Sequence, residues 1–197
     1  MGQISARSAY LGLVKVIALI PMLPIALIVL LFHNRKLRHK KSRGGVLTTM
    51  LAALALNPNY STGWTYLGST LKAGETITIA GKPYTKRDCS LKALELDPKS
   101  SPAWALLGST MEAGETVTVA RKPYTGRDCF LKALDLDPHS SSAWTLLGST
   151  LKVGETVTIA GKPYTAHDCF LKAVDMNPSN NEAWELLRAT MRNTEPV

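Results

Sequence analysis

Residues 101–140 read SPAWALLGSTMEAGETVTVARKPYTGRDCFLKALDLDPHS, and closely similar lines of text precede and follow them. Trp64, Trp104, Trp144 and Trp184 are spaced by 40, as are Pro58, Pro98, Pro138 and Pro178. LGST recurs at 67–70, 107–110 and 147–150, GET at 74–76, 114–116 and 154–156, and KPYT at 82–85, 122–125 and 162–165. Three full units therefore run approximately 61–100, 101–140 and 141–180, flanked by a leading half-unit, Val46–Tyr60, and a trailing one, Asn181–Arg192. A fixed period of this size marks a solenoid or another repeat array, in which a unit buries its apolar face only against its neighbours.

Each unit reads as two helices. The first is expected to open on a serine N-cap, as in Ser101-Pro102-Ala103-Trp104, with proline in the first turn where its missing N–H costs nothing. It is expected to stop before Gly74, Gly114 or Gly154. The second opens near Thr85, Thr125 or Thr165, with Asp88, Asp128 or Asp168 three residues on in a capping-box position. Leu91, Leu94 and their copies give it an apolar stripe at helical spacing, and Asp/Asn-Pro ends it. Between the helices, GETVTVARKPYT alternates with period 2 and then turns, which predicts a short β-hairpin. A lone hairpin is marginal in water. Val117, Val119 and Tyr124 are thus expected to pack it on helices of its own unit or on the next hairpin. Arg121 stands where Gly81 and Gly161 stand in the other copies, so the turn does not strictly demand glycine.

W-x-x-L-G followed by F-x-x-A and D-P resembles the tetratricopeptide repeat, through Trp104, Leu107, Gly108, Phe130, Ala133 and Pro138 in the middle unit. Ser90 replaces the aromatic in the first unit and Arg188 replaces the glycine in the last half-unit. The family's usual unit is about 34 residues, so each unit here carries extra length between its helices. The resemblance covers roughly residues 46–192 and implies a mainly α fold: a solenoid of helix pairs with a hairpin insert per repeat. In such arrays the first helices line a concave groove. The resemblance thus nominates Thr65, Ser69, Lys72, Ala105, Ser109, Glu112, Thr145, Ser149 and Lys152 as partner-binding positions. This surface is small, polar and of mixed charge, without the Lys/Asn pattern with which some relatives hold the acidic C-termini of heat-shock chaperones.

Ahead of the array, behind a short tail (1–10), residues 11–32 read LGLVKVIALIPMLPIALIVLLF, interrupted by one charge, Lys15. That length meets the roughly 20 apolar residues a membrane-crossing helix needs, and a transmembrane helix is expected there. Pro21 and Pro24 would kink it. Residues 33–45 form a basic juxtamembrane linker, HNRKLRHKKSRGG, and the excess of Lys and Arg on that side predicts a single-pass protein with a cytosolic repeat domain. The same linker would touch anionic lipid head groups. Residues 193–197 are a C-terminal tail.

The net charge of +8 belongs entirely to residues 1–43, which hold eight Lys or Arg and no acid. The remaining 154 residues carry fifteen basic and fifteen acidic side chains, so the array has no net attraction for phosphate and nucleic-acid binding is not expected. Cys89, Cys129 and Cys169 occupy one equivalent position, with no CxxC or Cys/His spacing. They read as small semi-buried thiols in a reducing compartment. A redox role would require Arg87 and Arg127, two residues upstream, to lower their pKa. Gly74 to Lys82 has six residues between its glycines and then Lys-Pro, which excludes a phosphate-binding loop. His139 and His167 join no Ser/His/Asp or metal-ligand grouping. No catalytic residue, cofactor, metal or small-molecule substrate is therefore expected. The expected function is a membrane-anchored scaffold or receptor that binds a peptide or partner protein. The alternatives are an import or assembly factor of an organelle such as the mitochondrial outer membrane, and a non-catalytic subunit of an enzyme such as a glycosyltransferase.

Overall fold

A computed structural model describes residues 43–192. The chain divides into two units, Met1–Ser42 and Arg43–Val197. Eight helices and three hairpins follow one another in the described part: α1 (Arg43–Leu56), α2 (Ser61–Thr70), β1 (Thr76–Ile79), β2 (Lys82–Thr85), α3 (Lys86–Leu96), α4 (Ser101–Gly108), β3 (Thr116–Val119), β4 (Lys122–Thr125), α5 (Gly126–Leu136), α6 (Ser141–Ser149), β5 (Val157–Ile159), β6 (Lys162–Tyr164), α7 (Ala166–Met176) and α8 (Asn181–Arg192). Each unit is thus helix, hairpin, helix.

The fold-class expectation needs one correction. Among the described residues no helix is long and apolar enough to cross a membrane. The longest, α1, has 14 residues, or about 21 Å at 1.5 Å per residue, against a hydrocarbon core of about 30 Å. The structure therefore gives the N-terminal transmembrane helix no support. The segment expected to form it, 11–32, lies outside the described residues, as do the tails and the linker up to residue 42.

Helices α2 and α3 pack against each other, as do α4 with α5 and α6 with α7, and each second helix packs in turn on the first helix of the next unit. Successive first helices also touch. One apolar core runs the length of the array, from Leu54 in α1 through Leu67, Leu107 and Leu147 to Leu187 in α8. Full burial of one such leucine stabilises by about 1.5–3 kcal/mol. Close helix contact depends on glycine: a Cβ at Gly108 would stand 2.6 Å from the Phe130 ring and 2.9 Å from the Gly126 carbonyl oxygen.

The second helices begin as the capping-box pattern predicts. In α5 the Asp128 N–H donates to Thr125 Oγ1 at 3.2 Å, and the Thr125 N–H donates to Asp128 Oδ2 at 2.8 Å. The same reciprocal pair opens α3 and α7. The first helices differ from expectation. Their N-caps are Tyr60, Ser100 and Ser140, one residue earlier than the serines predicted. Ser61, Ser101 and Ser141 lie inside the helix, and their hydroxyls donate to the carbonyls of Ala93, Ala133 and Ala173 in the second helix of the same unit. The hydroxyl thus staples two helices. As expected, the first helices end before Gly74, Gly114 and Gly154, and Gly114 falls in the turn leading to the hairpin.

Each hairpin is an antiparallel pair closed by a two-residue turn, with Val117 opposite Tyr124 and Val119 opposite Lys122 in the middle unit. The three form separate two-stranded sheets. What holds them is aromatic. Tyr84, Tyr124 and Tyr164 lie against Trp64, Trp104 and Trp144 with ring centroids 4.9, 4.8 and 5.1 Å apart, a tilted contact that adds about 0.5–1.5 kcal/mol to its area burial. Each indole N–H also donates to the carbonyl of the proline closing the preceding unit, Pro58, Pro98 or Pro138. One tryptophan therefore joins the previous turn, its own helix and its own hairpin.

Candidate functional site

The nine groove positions expected on the inner faces of the first helices have different surroundings. Ala105 and Thr145 are buried. Thr145 Oγ1 donates to the Ser141 carbonyl and accepts from Asn180 Nδ2, so it serves the packing of one repeat on the next. Thr65 is half-buried and bonded to the Ser61 carbonyl. Ser69, Ser109 and Ser149 are exposed, but their hydroxyls bond back to the Tyr66, Leu106 and Thr145 carbonyls of their own helices. Lys72, Glu112 and Lys152 are exposed and sit at the turn into the hairpin. Their N–H groups donate to the carboxylates of Glu75, Glu115 and Glu155. Stacking of successive first helices thus covers two of the nine and leaves a sparse row of serines and turn residues.

A second surface recurs with the repeat. In the middle unit a crevice of roughly 480 Å³ opens between strand β4 and helix α5, floored by Pro123, Tyr124 and Leu131 and edged by Lys122 and Asp128. One unit earlier, a crevice of roughly 340 Å³ has Pro83, Tyr84, Leu91, Lys82 and Asp88 in the same roles. The outer rim is an ion pair in both, Lys92 with Glu95 at 2.8 Å and Lys132 with Asp135 at 2.6 Å. The Asp135 hydrogen bond holds the Lys132 ammonium above its usual pKa. Asp88 and Asp128 are engaged in their capping boxes. Lys82, Lys122 and Lys162 are exposed and make no ion pair among the described residues.

The hairpin tip beside this crevice is strained at its alanine in every unit, and at both turn residues in the middle one. Both turn residues have positive φ: 50° and 78° at Ala80-Gly81, 49° and 77° at Ala160-Gly161, but 49° and 68° at Ala120-Arg121. A primed turn demands this conformation at both positions. For an arginine it costs on the order of 1–2 kcal/mol.

The arginines upstream of the cysteines act elsewhere. The Arg87 guanidinium donates to Glu115 at 2.5 and 2.9 Å, and to the Thr110 hydroxyl and carbonyl of the next unit. Arg127 repeats the clamp on Glu155 and Thr150. The guanidinium hydrogen bonds, with a backbone N–H second, hold Glu115 and Glu155 below the usual carboxylate range. In the third copy His167 Nδ1 meets Thr190 Oγ1 at 2.9 Å. The thiols themselves are buried, and desolvation, with the neighbouring aspartate charge second, pushes all three up to about 12. A thiol so placed is inert at neutral pH, which removes the redox reading. Among the described residues no group of three or more His, Cys, Asp or Glu is placed to hold a metal.

No family model matches the chain, and no curated protein does. Its function must therefore be read from its own geometry. Sequence reading missed the clamps because their partners stand 28 residues apart. It missed the crevices because their walls come from strand and helix together. The one signal for the clamps was co-occurrence: Arg87 with Glu115 and Arg127 with Glu155 keep the same separation.

Proposed function

We propose that residues 43–192 form a non-catalytic protein-binding scaffold of the tetratricopeptide kind, which takes an extended segment of a partner protein along its repeats. The observation that supports this most directly is the recurrence of one crevice, lined by equivalent side chains, in consecutive units. A solenoid contacts an elongated partner through many similar small sites in a row, and its affinity comes from their sum. The near-neutral charge of residues 44–197 is consistent with a polypeptide partner rather than nucleic acid. The three recurring cysteines serve packing, since burial deprives them of the thiolate that nucleophilic chemistry requires.

The test is site-specific photo-cross-linking on the full chain, with the reactive residue placed in turn at Leu131 in a crevice, Ser109 on the inner row and Thr118 on the hairpin. The expected result is a saturable polypeptide adduct at one of these surfaces, competed by the unmodified chain. If adducts at all three sites are non-saturable and match those of a heat-unfolded sample, the scaffold reading is wrong.

A further inference from the structure

Helix α8 ends the described array, and the positions through which an earlier first helix meets its neighbours lie open on it. In α6, Trp144 packs on Tyr164 of its hairpin and Thr145 accepts from Asn180 of the next unit. A Cβ at Gly148 would stand 2.7 Å from the Phe170 ring of its second helix. The equivalents in α8 are Trp184, Glu185 and Arg188, and all three are exposed. Trp184 keeps 37 % of its surface open, where Trp64, Trp104 and Trp144 keep 3–5 %. Met191, 50 % exposed, borders the same strip one turn beyond Arg188.

The charges decide what fits on this strip. Glu185 and Arg188 are of opposite sign and one turn apart, and neither makes an ion pair among the described residues. The Arg188 guanidinium lies over the Trp184 ring instead, 6.0 Å from its centroid. The helix dipole favours acid early and base late, but its effect fades within the terminal turns. Glu182 and Arg192 stand in those turns, and Glu185 and Arg188 do not. A second helix of the array's own kind does not fit either, because Arg188 fills the place where glycine allows close approach. The α1 helix, which has no first helix ahead of it among the described residues, carries no acid to meet Arg188.

We propose that this strip is covered by the same strip of a second copy, in a twofold-symmetric dimer whose two α8 helices run antiparallel. An axis midway between Glu185 and Arg188 sets each Glu185 level with the partner's Arg188, and each Trp184 level with the small Ala189. Parallel helices related by a twofold would set like charges together. The strip read backwards is thus complementary to itself, as a closed isologous pair requires. The dimer is expected to be weak. A helix of 12 residues is about 18 Å long and about 10 Å wide, a footprint well short of the roughly 800 Å² per partner of a standard interface. Neither crevice includes an α8 residue, so the contact is independent of what the crevices bind.

The experiment is sedimentation velocity on the full chain across a wide concentration range, with Glu185→Arg, Arg188→Glu and the double variant in matched samples. The parent is expected to approach twice its monomer mass and go no further. Either single substitution turns two attractive pairs into repulsive ones and should weaken the dimer about tenfold, on the scale of exposed ion pairs. The double variant exchanges the charges and should recover to within about threefold of the parent. Iodide quenching of the parent's tryptophan fluorescence should fall in step with dimer formation, since the most open indole is the one covered. Thermal melts separate loss of the dimer from loss of the fold, and recovery in the double variant does so again. A parent that stays monomeric at every concentration, or that forms species beyond the dimer, would overturn the contact. So would single variants that associate as tightly as the parent, a double variant no better than the singles, or quenching that ignores concentration.

Discussion

Gly108→Ala adds one methyl group to a helix and, on helix propensity alone, should stabilise α4 by about 1 kcal/mol. The structure predicts the reverse. The new Cβ would stand 2.6 and 3.0 Å from two atoms of the Phe130 ring and 2.9 Å from the Gly126 carbonyl oxygen. Phe130 is buried, and the Gly126 oxygen is backbone at the start of α5. Neither yields without moving one helix relative to the other. With two contacts under 3 Å against partners that cannot yield, the cost belongs in the upper part of the 1–3 kcal/mol typical of overpacking, about 2–3 kcal/mol. After the propensity gain of about 1 kcal/mol, the net loss is about 1–2 kcal/mol. Urea unfolding of the full chain, followed by far-UV circular dichroism, measures it. The double variant Gly108→Ala/Phe130→Leu should recover part of the loss, because the nearest clash is with the ring, and non-additivity would show that the two sites couple. The natural sequence contains a related comparison. Arg188 occupies the equivalent position in α8, after which no second helix follows among the described residues. A Gly108→Ala protein as stable as the parent would refute the claim that glycine is there for close approach.

Arg121→Gly should stabilise by about 0.5–1 kcal/mol, the relief of left-handed strain less the entropy glycine loses on folding, and a thermal melt reads it. The three thiols should resist iodoacetamide at pH 8 in the native protein and react on unfolding, since each is pushed to about 12; native labelling of Cys129 at the rate of a free thiol, seen by mass spectrometry, would contradict the burial. Glu115 and Glu155 have folded-state pKa values depressed below 4.5 by the arginine clamps. Their contribution is therefore complete above the ordinary carboxylate range and lost as pH falls through the depressed values. The urea midpoint should be flat near neutrality and drop in acid, and Glu155→Gln should shrink the drop while lowering the neutral midpoint.

The period, the capping boxes and the hairpins were legible because each is written within a few residues: Trp to Trp at 40, Thr125 with Asp128, Thr118 and Val119 alternating into a turn. What joins those pieces was not. Ser101 looked like an N-cap because caps are local, but its hydroxyl reaches Ala133, 32 residues on. Arg87 looked like a neighbour of Cys89 because they are close in sequence, yet α3 turns the guanidinium onto the next unit. Ala105 and Thr145 looked open because a groove assignment cannot see how closely successive first helices stack. Candidate binding surfaces suffer most from this, since both crevice walls must be placed before the cavity between them exists.

The clamps weaken along the chain. Arg87 makes four hydrogen bonds to the following unit, Arg127 three, and His167 one. Trp184, which meets Arg188 at 6.0 Å where its three counterparts meet a tyrosine, is 37 % exposed. The array therefore has a direction of unravelling. Under tension or mild denaturant its C-terminal end should open first, and Trp184, as the most accessible indole among the described residues, makes that opening visible by iodide quenching before the remaining tryptophans respond.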